Sequence, residues 1–154
     1  MQDFIQVLAR RARHETITVD RELDAALERL DSMLCGLCGE LRVEFYGPEV
    51  GVEARAAHRL VVRAHLWKQQ HQWSLKICSA AAQADWRAEW AIHGASRVRK
   101  PIVVVALPGF FSGFAQAVEQ AGKQHGAAGR RLRELASWFT PEVSVDPHPN
   151  RSLP

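Results

Sequence analysis

The chain of 154 residues contains no run of 18 or more apolar residues, the length that a membrane-spanning helix needs. Its strongest apolar stretch, Ile102–Leu107, is six residues long and is followed by Pro108 and Gly109. The N-terminus places Asp3 before a short apolar patch and arginines after it, which inverts the order of a secretory signal. We therefore expect a cytoplasmic protein that does not span a membrane.

The common motifs of catalysis and nucleotide binding are also absent. The glycines around Gly109 form neither a GxGxxG nor a GxxxxGK[ST] loop, and none of the seven histidines belongs to an HExxH pair. Ser112 lacks the GxSxG frame of a hydrolase nucleophile and is better interpreted as the N-cap of a following helix. We expect no catalytic residue and no cofactor, with a small-molecule-binding enzyme kept as the third alternative.

Cysteine is scarce, with three residues in the chain. Cys35 and Cys38 form a CxxC pair, but a predicted helix precedes the pair, and the dipole at a helix C-terminus has the wrong sign to stabilise a thiolate. Cys78 is the one remaining cysteine, so a four-ligand zinc site would need a histidine at no recognised spacing. The sequence therefore predicts packed structural cysteines and no metal site.

A helix with a leucine stripe dominates the first forty residues. Thr18 or Asp20 can cap it, and leucines then recur at spacings of four and three over nearly three heptads. The stripe consists of Leu23, Leu27, Leu30, Leu34, Leu37 and Leu41. We expect it to pack on the sheet of its own domain. The alternative is a protein-interaction or assembly subunit that forms a homodimer through Leu23, Leu27, Leu30 and Leu34.

Strand-like patterns follow the leucine stripe. Residues Leu41–Tyr46 alternate between apolar and polar side chains and predict a first strand. Asp85–His93 also alternates, and the β-propensity of tryptophan and isoleucine favours a strand over a helix there. Ile102–Leu107 has no polar face, which predicts a central strand buried on both sides and stopped by Pro108.

The C-terminal part predicts two helices and a tail. Apolar positions recur at helical spacing from Phe114 to Ala121 and from Leu132 to Phe139. Three prolines in the last twelve residues indicate a loose tail. The expected fold is α+β, with an N-terminal helical segment, an antiparallel meander of four to five strands, and two C-terminal helices packed on one sheet face. Residues 1–142 would form a single domain and residues 143–154 the tail.

The most informative segment, Glu53–Ser79, predicts a β-hairpin with one apolar and one basic face. Because side chains alternate along a strand, Arg55, Arg59 and Arg63 share the polar face of its first strand. Trp67 falls on the same face and is the candidate stacking residue. We expect this face to contact water or to bind an anion.

The register of the hairpin follows from matching its two apolar faces. With Lys68–His71 as the turn, Val62 lies opposite Ile77 and Arg63 opposite Lys76. Like charges directly across a strand pair are unfavourable, so this register predicts that the two cations either splay into water or bind an anion.

Charge distribution points to the partner. The net charge of +3 is ordinary, but the basic residues are clustered, and clustered cations bind phosphates by releasing counterions. The leading hypothesis is a non-enzymatic protein that binds a polyanion, in particular DNA or RNA, through the basic sheet face. The candidate residues are Arg55, Arg59, Arg63, Trp67, Lys76, Arg97, Arg99 and Lys100.

Overall fold

A computed structural model describes residues 3–50, 57–80 and 86–140. The elements follow in the order α1 (Asp3–Arg11), α2 (Arg21–Leu41), β1 (Phe45–Tyr46), β2 (His58–Trp67), β3 (Gln70–Ala80), β4 (Trp86–Ala91), α3 (Arg99–Gln120) and α4 (Ala127–Phe139). The four strands form one antiparallel sheet in the order β1-β2-β3-β4. The α+β class and the meander are confirmed. The predicted tail, 143–154, lies outside the described residues.

Helix α2 begins at one of the two caps that the sequence offers. The Asp20 carboxylate accepts a hydrogen bond of 2.9 Å from the Leu23 backbone N–H, which satisfies one of the free donors of the first turn. The Arg11 guanidinium lies 3.0 Å from the same carboxylate. Both interactions stabilise the charged form, so they lower the pKa of Asp20.

The end of α2 differs from the prediction. Leu41 belongs to the helix and not to a strand, because the helix continues through Gly36 and Gly39 and ends at Arg42. Arg42 adopts a left-handed backbone with φ of 51°, and its N–H donates to the Cys38 carbonyl, a common way to terminate a helix. The first strand is correspondingly short and holds two residues.

The leucine stripe of α2 is covered by the chain itself. All six leucines are buried, and α2 packs against α1, α4 and β3. Burial of each leucine contributes about 1.5–3 kcal/mol, so the stripe is a principal source of stability. The expectation of packing within the domain is confirmed. Leu23, Leu27, Leu30 and Leu34 are therefore not exposed to a second copy, and a homodimer would need another surface.

The turn between β2 and β3 is tighter than predicted. It consists of Lys68 and Gln69 alone, with φ of 47° and 64°. Two consecutive residues with positive φ are typical of a two-residue hairpin turn whose twist matches that of the strands. The predicted turn of four residues is therefore wrong.

The shorter turn shifts the register by two residues. Val62 lies opposite Leu75 and not Ile77, and Arg63 lies opposite Ser74 and not Lys76. A shift of two residues keeps every side chain on its own face, so the predicted apolar and basic faces are retained. The like-charge pair expected between Arg63 and Lys76 does not occur.

Helix α3 contains the clearest correction. Ile102–Leu107 was expected to form a buried strand, but it forms the second and third turns of a 22-residue helix. Pro108 does not stop this helix, although its ring removes one backbone hydrogen bond. Ser112 consequently lies in mid-helix, with an exposed side chain, and caps nothing.

The core between sheet and helices is centred on aromatic residues. Phe110 and Phe114 contact Phe45 of β1 with ring centroids 5.8 and 5.9 Å apart, and Phe111 stacks on Phe139 of α4 at 4.8 Å. Helices α2 and α3 pack on one face of the sheet, while α4 packs against the other helices. Among the described residues, α3 is the one helix that is long and apolar enough to cross a membrane, and 44% of its apolar stretch is buried in this core.

Candidate nucleic-acid interface

The sheet has a second face, turned away from the helices, which we call the outer face. It carries Arg59, Val61 and Arg63 from β2, and Lys76 and Cys78 from β3. The alternate residues Leu60, Val62, Leu75 and Ile77 are buried in the core on the opposite side. Period-2 alternation thus places three of the predicted site residues, Arg59, Arg63 and Lys76, together on two adjacent strands.

Carboxylates accompany both described arginines of the outer face. The Arg59 guanidinium lies 2.7 Å from the Glu49 carboxylate, and the Arg63 guanidinium contacts the Glu89 carboxylate. Arg59 and Arg63 keep 22% and 33% of their side-chain surface exposed. The outer face is therefore a mixed array of charges and not a purely basic surface.

Neither carboxylate was recognised in the sequence, for different reasons. Glu49 reaches Arg59 because a bridge between Val50 and His58 folds the preceding loop onto the start of β2, which no local pattern predicts. Glu89 of β4 lies directly opposite Cys78, on the polar side of the alternating segment Asp85–His93. Pairing that polar side with β3 would have predicted an acidic residue on the outer face.

Tyr46 is an aromatic residue of the outer face that sequence reasoning missed. Strand pairing aligns it with Val61 and Lys76 in one row across three strands, and 41% of its surface is exposed. Its hydroxyl donates a hydrogen bond of 2.8 Å to Glu44. This bond and burial raise the pKa of Tyr46, while a hydrogen bond with Arg63 lowers it in part.

Beneath the long polar side chains, the outer face contains two buried residues. Val61 is fully buried and Cys78 is 1% exposed, although neither belongs to the core cluster on the other side of the sheet. Burial raises the pKa of the Cys78 thiol, so it stays protonated at neutral pH. Charged head groups thus surround a small apolar centre, an arrangement that aliphatic arginine and lysine stems allow.

The remaining candidates are not joined to this cluster by any described contact. Arg55 lies outside the described residues, and so does the side chain of Trp67, the last residue of β2. The Arg99 guanidinium lies 3.7 Å from the ring centroid of Trp90, which faces the core opposite Ile77. Such a contact is a cation-π interaction on the helical side of the sheet.

Arg97 and Lys100 are engaged near the start of α2. The Lys100 ammonium lies 2.6 Å from the Asp24 carboxylate, and the Arg97 guanidinium donates to the Val19 carbonyl at 3.4 Å. With Arg99, they connect the β4–α3 junction to α2 and to the core. The predicted set is therefore divided between the outer face and a structural junction.

No family model matches the chain, and no curated protein or solved structure is significantly similar to it. The function of the outer face must therefore be inferred from its own side chains.

In the part of the chain that the structure describes, the other reactive side chains do not assemble into a recognisable centre. The His93 imidazole contacts the Asp31 carboxylate, and the exposed Cys35 lies one helical turn beyond Asp31. Cys38 is buried, which raises the pKa of its thiol to about 12. Within residues 3–50, 57–80 and 86–140, no three histidine, cysteine, aspartate or glutamate side chains converge as metal ligands would.

Proposed function

We propose that the protein is a non-enzymatic binder of nucleic acid, and that the outer face of the sheet is its interface. The observation that carries this proposal is the placement of Arg59, Arg63 and Lys76 on adjacent strands, on the face opposite the hydrophobic core. Tyr46 adds an exposed aromatic ring in the same row as Lys76. Three partly exposed cations on one face of the sheet match the phosphates of a polyanion.

The carboxylates beside the arginines are compatible with this function. The side chain of Glu49 is 58% exposed, and ion pairs at such positions contribute about 0–1 kcal/mol, so phosphate oxygens can replace Glu49 at small cost. Glu89 is 17% exposed and keeps its pair with Arg63, whose guanidinium has further N–H donors for a phosphate. The carboxylates also lower the local positive potential. Binding should then be weak and dependent on salt, with a Kd of roughly 10⁻⁴ to 10⁻⁶ M, the range of non-specific binding.

We place this function in the cytoplasm. Cys35, Cys38 and Cys78 are all free thiols, which is typical of a reducing compartment. The apolar helix α3 contributes Phe110, Phe111 and Phe114 to the core, as a core helix of a soluble protein does.

The proposal predicts a defined salt dependence. If three outer-face cations neutralise three phosphates of duplex DNA, the log of the association constant should fall against the log of the salt concentration with a slope of about −2.7. Arg59→Ala combined with Arg63→Ala should make the slope less negative by about 1.8, because two counterions fewer are released. Fluorescence anisotropy of a labelled duplex between roughly 50 and 200 mM salt measures both slopes.

Arg130→Ala combined with Arg133→Ala is the matched control. These arginines are exposed on α4 and change the net charge equally, but α4 packs on the helical side of the sheet. The control should leave the slope nearly unchanged. Absence of duplex binding at the lowest salt, or equal effects of the two double variants, would contradict the proposal.

A further inference from the structure

A groove lies between α1 and the last turn of α4, on the helical side of the molecule. Its volume is about 390 Å³, which is near the lower end of the range for small-ligand sites. Its walls are formed by Gln6, Ala9, Arg10, Arg13, Trp138 and Thr140. Trp138 is 37% exposed, and it is one of four large apolar residues exposed in the described part of the chain.

Arg10 and Arg13, the two arginines of this groove, are less closely paired with carboxylates than their neighbour Arg11. Arg11 lies 3.0 Å from Asp20 and 2.8 Å from Glu22, so it holds both carboxylates. Arg10 approaches Glu22 only at 3.5 Å. Among the described residues, no carboxylate lies within 4 Å of the Arg13 guanidinium. Positive charge therefore remains beside the indole of Trp138.

We propose that this groove binds one unpaired nucleotide of a single-stranded nucleic acid. Trp138 stacks on the base, and Arg10 and Arg13 bind the adjoining phosphates. An indole that lines the same groove as two cations provides both contacts that single-strand binding needs, a stacking surface and a positive track for the backbone. Arg10 lies in the last turn of α1 and Arg13 in the turn that follows it, where the Arg13 N–H donates to the Arg10 carbonyl at 3.2 Å. The two side chains therefore leave neighbouring points of the backbone and line the same groove.

The size of the groove favours a single strand over a duplex. A volume of 390 Å³ accommodates a base and its sugar, whereas the bases of a duplex are stacked and paired and cannot reach Trp138. An acidic peptide would satisfy the arginines but would leave the indole without a planar partner. This inference rests on the proposed nucleic-acid function and adds to it a second site that distinguishes single strands from duplexes.

The test compares a labelled 12-residue thymidine oligonucleotide with a duplex of the same length. Trp138→Ala should weaken binding of the single strand by about ten-fold, the loss of one stacked base, and leave duplex binding unchanged. Trp138→Phe should restore most of the affinity, because phenylalanine also stacks. Arg10→Ala combined with Arg13→Ala should reduce the salt slope of the single strand by about 1.4, since each lost phosphate contact changes it by about 0.7.

The two sites can fail separately. Single-strand binding that is unaffected by Trp138→Ala would overturn the groove proposal, even if duplex binding through Arg59 and Arg63 is intact. Loss of single-strand affinity in Trp138→Ala, with rescue by Trp138→Phe, would support the groove even if no duplex is bound. Equal loss of both ligands would also overturn it. Thermal unfolding of each variant measures whether the fold is retained, and so separates lost stacking from lost stability.

Discussion

At the scale of single residues, the two cysteines of the CxxC pair have opposite environments. Cys38 is fully buried among the leucines of α2, whereas Cys35 is exposed and its thiol lies 3.7 Å from the Trp73 carbonyl. Burial raises the pKa of Cys38 to about 12 from its ordinary value of 9.0. The prediction of packed cysteines is therefore confirmed for Cys38 and wrong for Cys35, which is exposed.

The buried thiol predicts a loss of stability in alkali. The pKa of Cys38 is higher in the folded than in the unfolded chain, so between about pH 9 and 12 the unfolded chain releases a proton that the folded chain retains. The free energy of unfolding should therefore fall as pH rises through this window. Cys38→Ala should remove part of that fall, and Cys35→Ala should remove less, because it deletes only a neighbouring charge that adds to the raised pKa of Cys38. Urea unfolding at a series of pH values measures the difference, and identical pH profiles for both variants would contradict it.

The sequence predicted the position of charged side chains better than their partners. Alternation alone placed Arg59 and Arg63 on one face, because the period of a strand is independent of its neighbours. The ion pairs with Glu49 and Glu89 depend on strand register and on the path of a loop. Strand register and loop path are tertiary features, and they cannot be predicted from the spacing of residues along the chain.

At the scale of elements, α3 shows why short apolar runs are ambiguous. A fully buried strand and a fully buried helix both lack a polar face, so Ile102–Leu107 fits either. The residues after Pro108 retain a helical spacing of phenylalanines, and the described helix extends across the proline from Arg99. The length of the apolar segment distinguishes the two structures better, because the segment that continues on both sides of Pro108 is longer than a typical strand.

Helix α3 also packs closely against β1 at Gly113. A Cβ atom added at Gly113 would overlap the ring of Phe45, which packs against both Phe110 and Phe114. In α2, by contrast, a Cβ atom at Gly36 would have no atom within 4 Å. Both glycines lie inside helices, so they form a matched pair.

Alanine should therefore have opposite effects at these two positions. Gly36→Ala should stabilise the protein by about 0.5–1 kcal/mol, because alanine loses less backbone entropy in a helix. Gly113→Ala should destabilise it by about 1–3 kcal/mol, since the Phe45 ring must move. Chemical denaturation gives both values. Stabilisation by both substitutions would show that Phe45 does not pack on Gly113.

At the scale of the whole molecule, the sheet separates two different surfaces. Its inner face and the helices enclose the leucine and phenylalanine core, and the helical side carries the groove lined by Trp138. Its outer face carries Arg59, Arg63, Lys76 and Tyr46. The fold class, the N-terminal helices and this two-faced sheet followed from periodicity. The groove did not, because it joins α1 to the end of α4 across most of the chain.

Binding of nucleic acid by the outer face can be tested most directly by mapping backbone amide shifts in NMR spectra during titration with a short DNA duplex at about 50 mM salt, where electrostatic binding is strong. We expect the largest shifts in residues 59–63 of β2 and 74–78 of β3, with Tyr46 included and α4 unaffected. No shifts, or shifts confined to the helices, would contradict the assignment of the outer face as the interface.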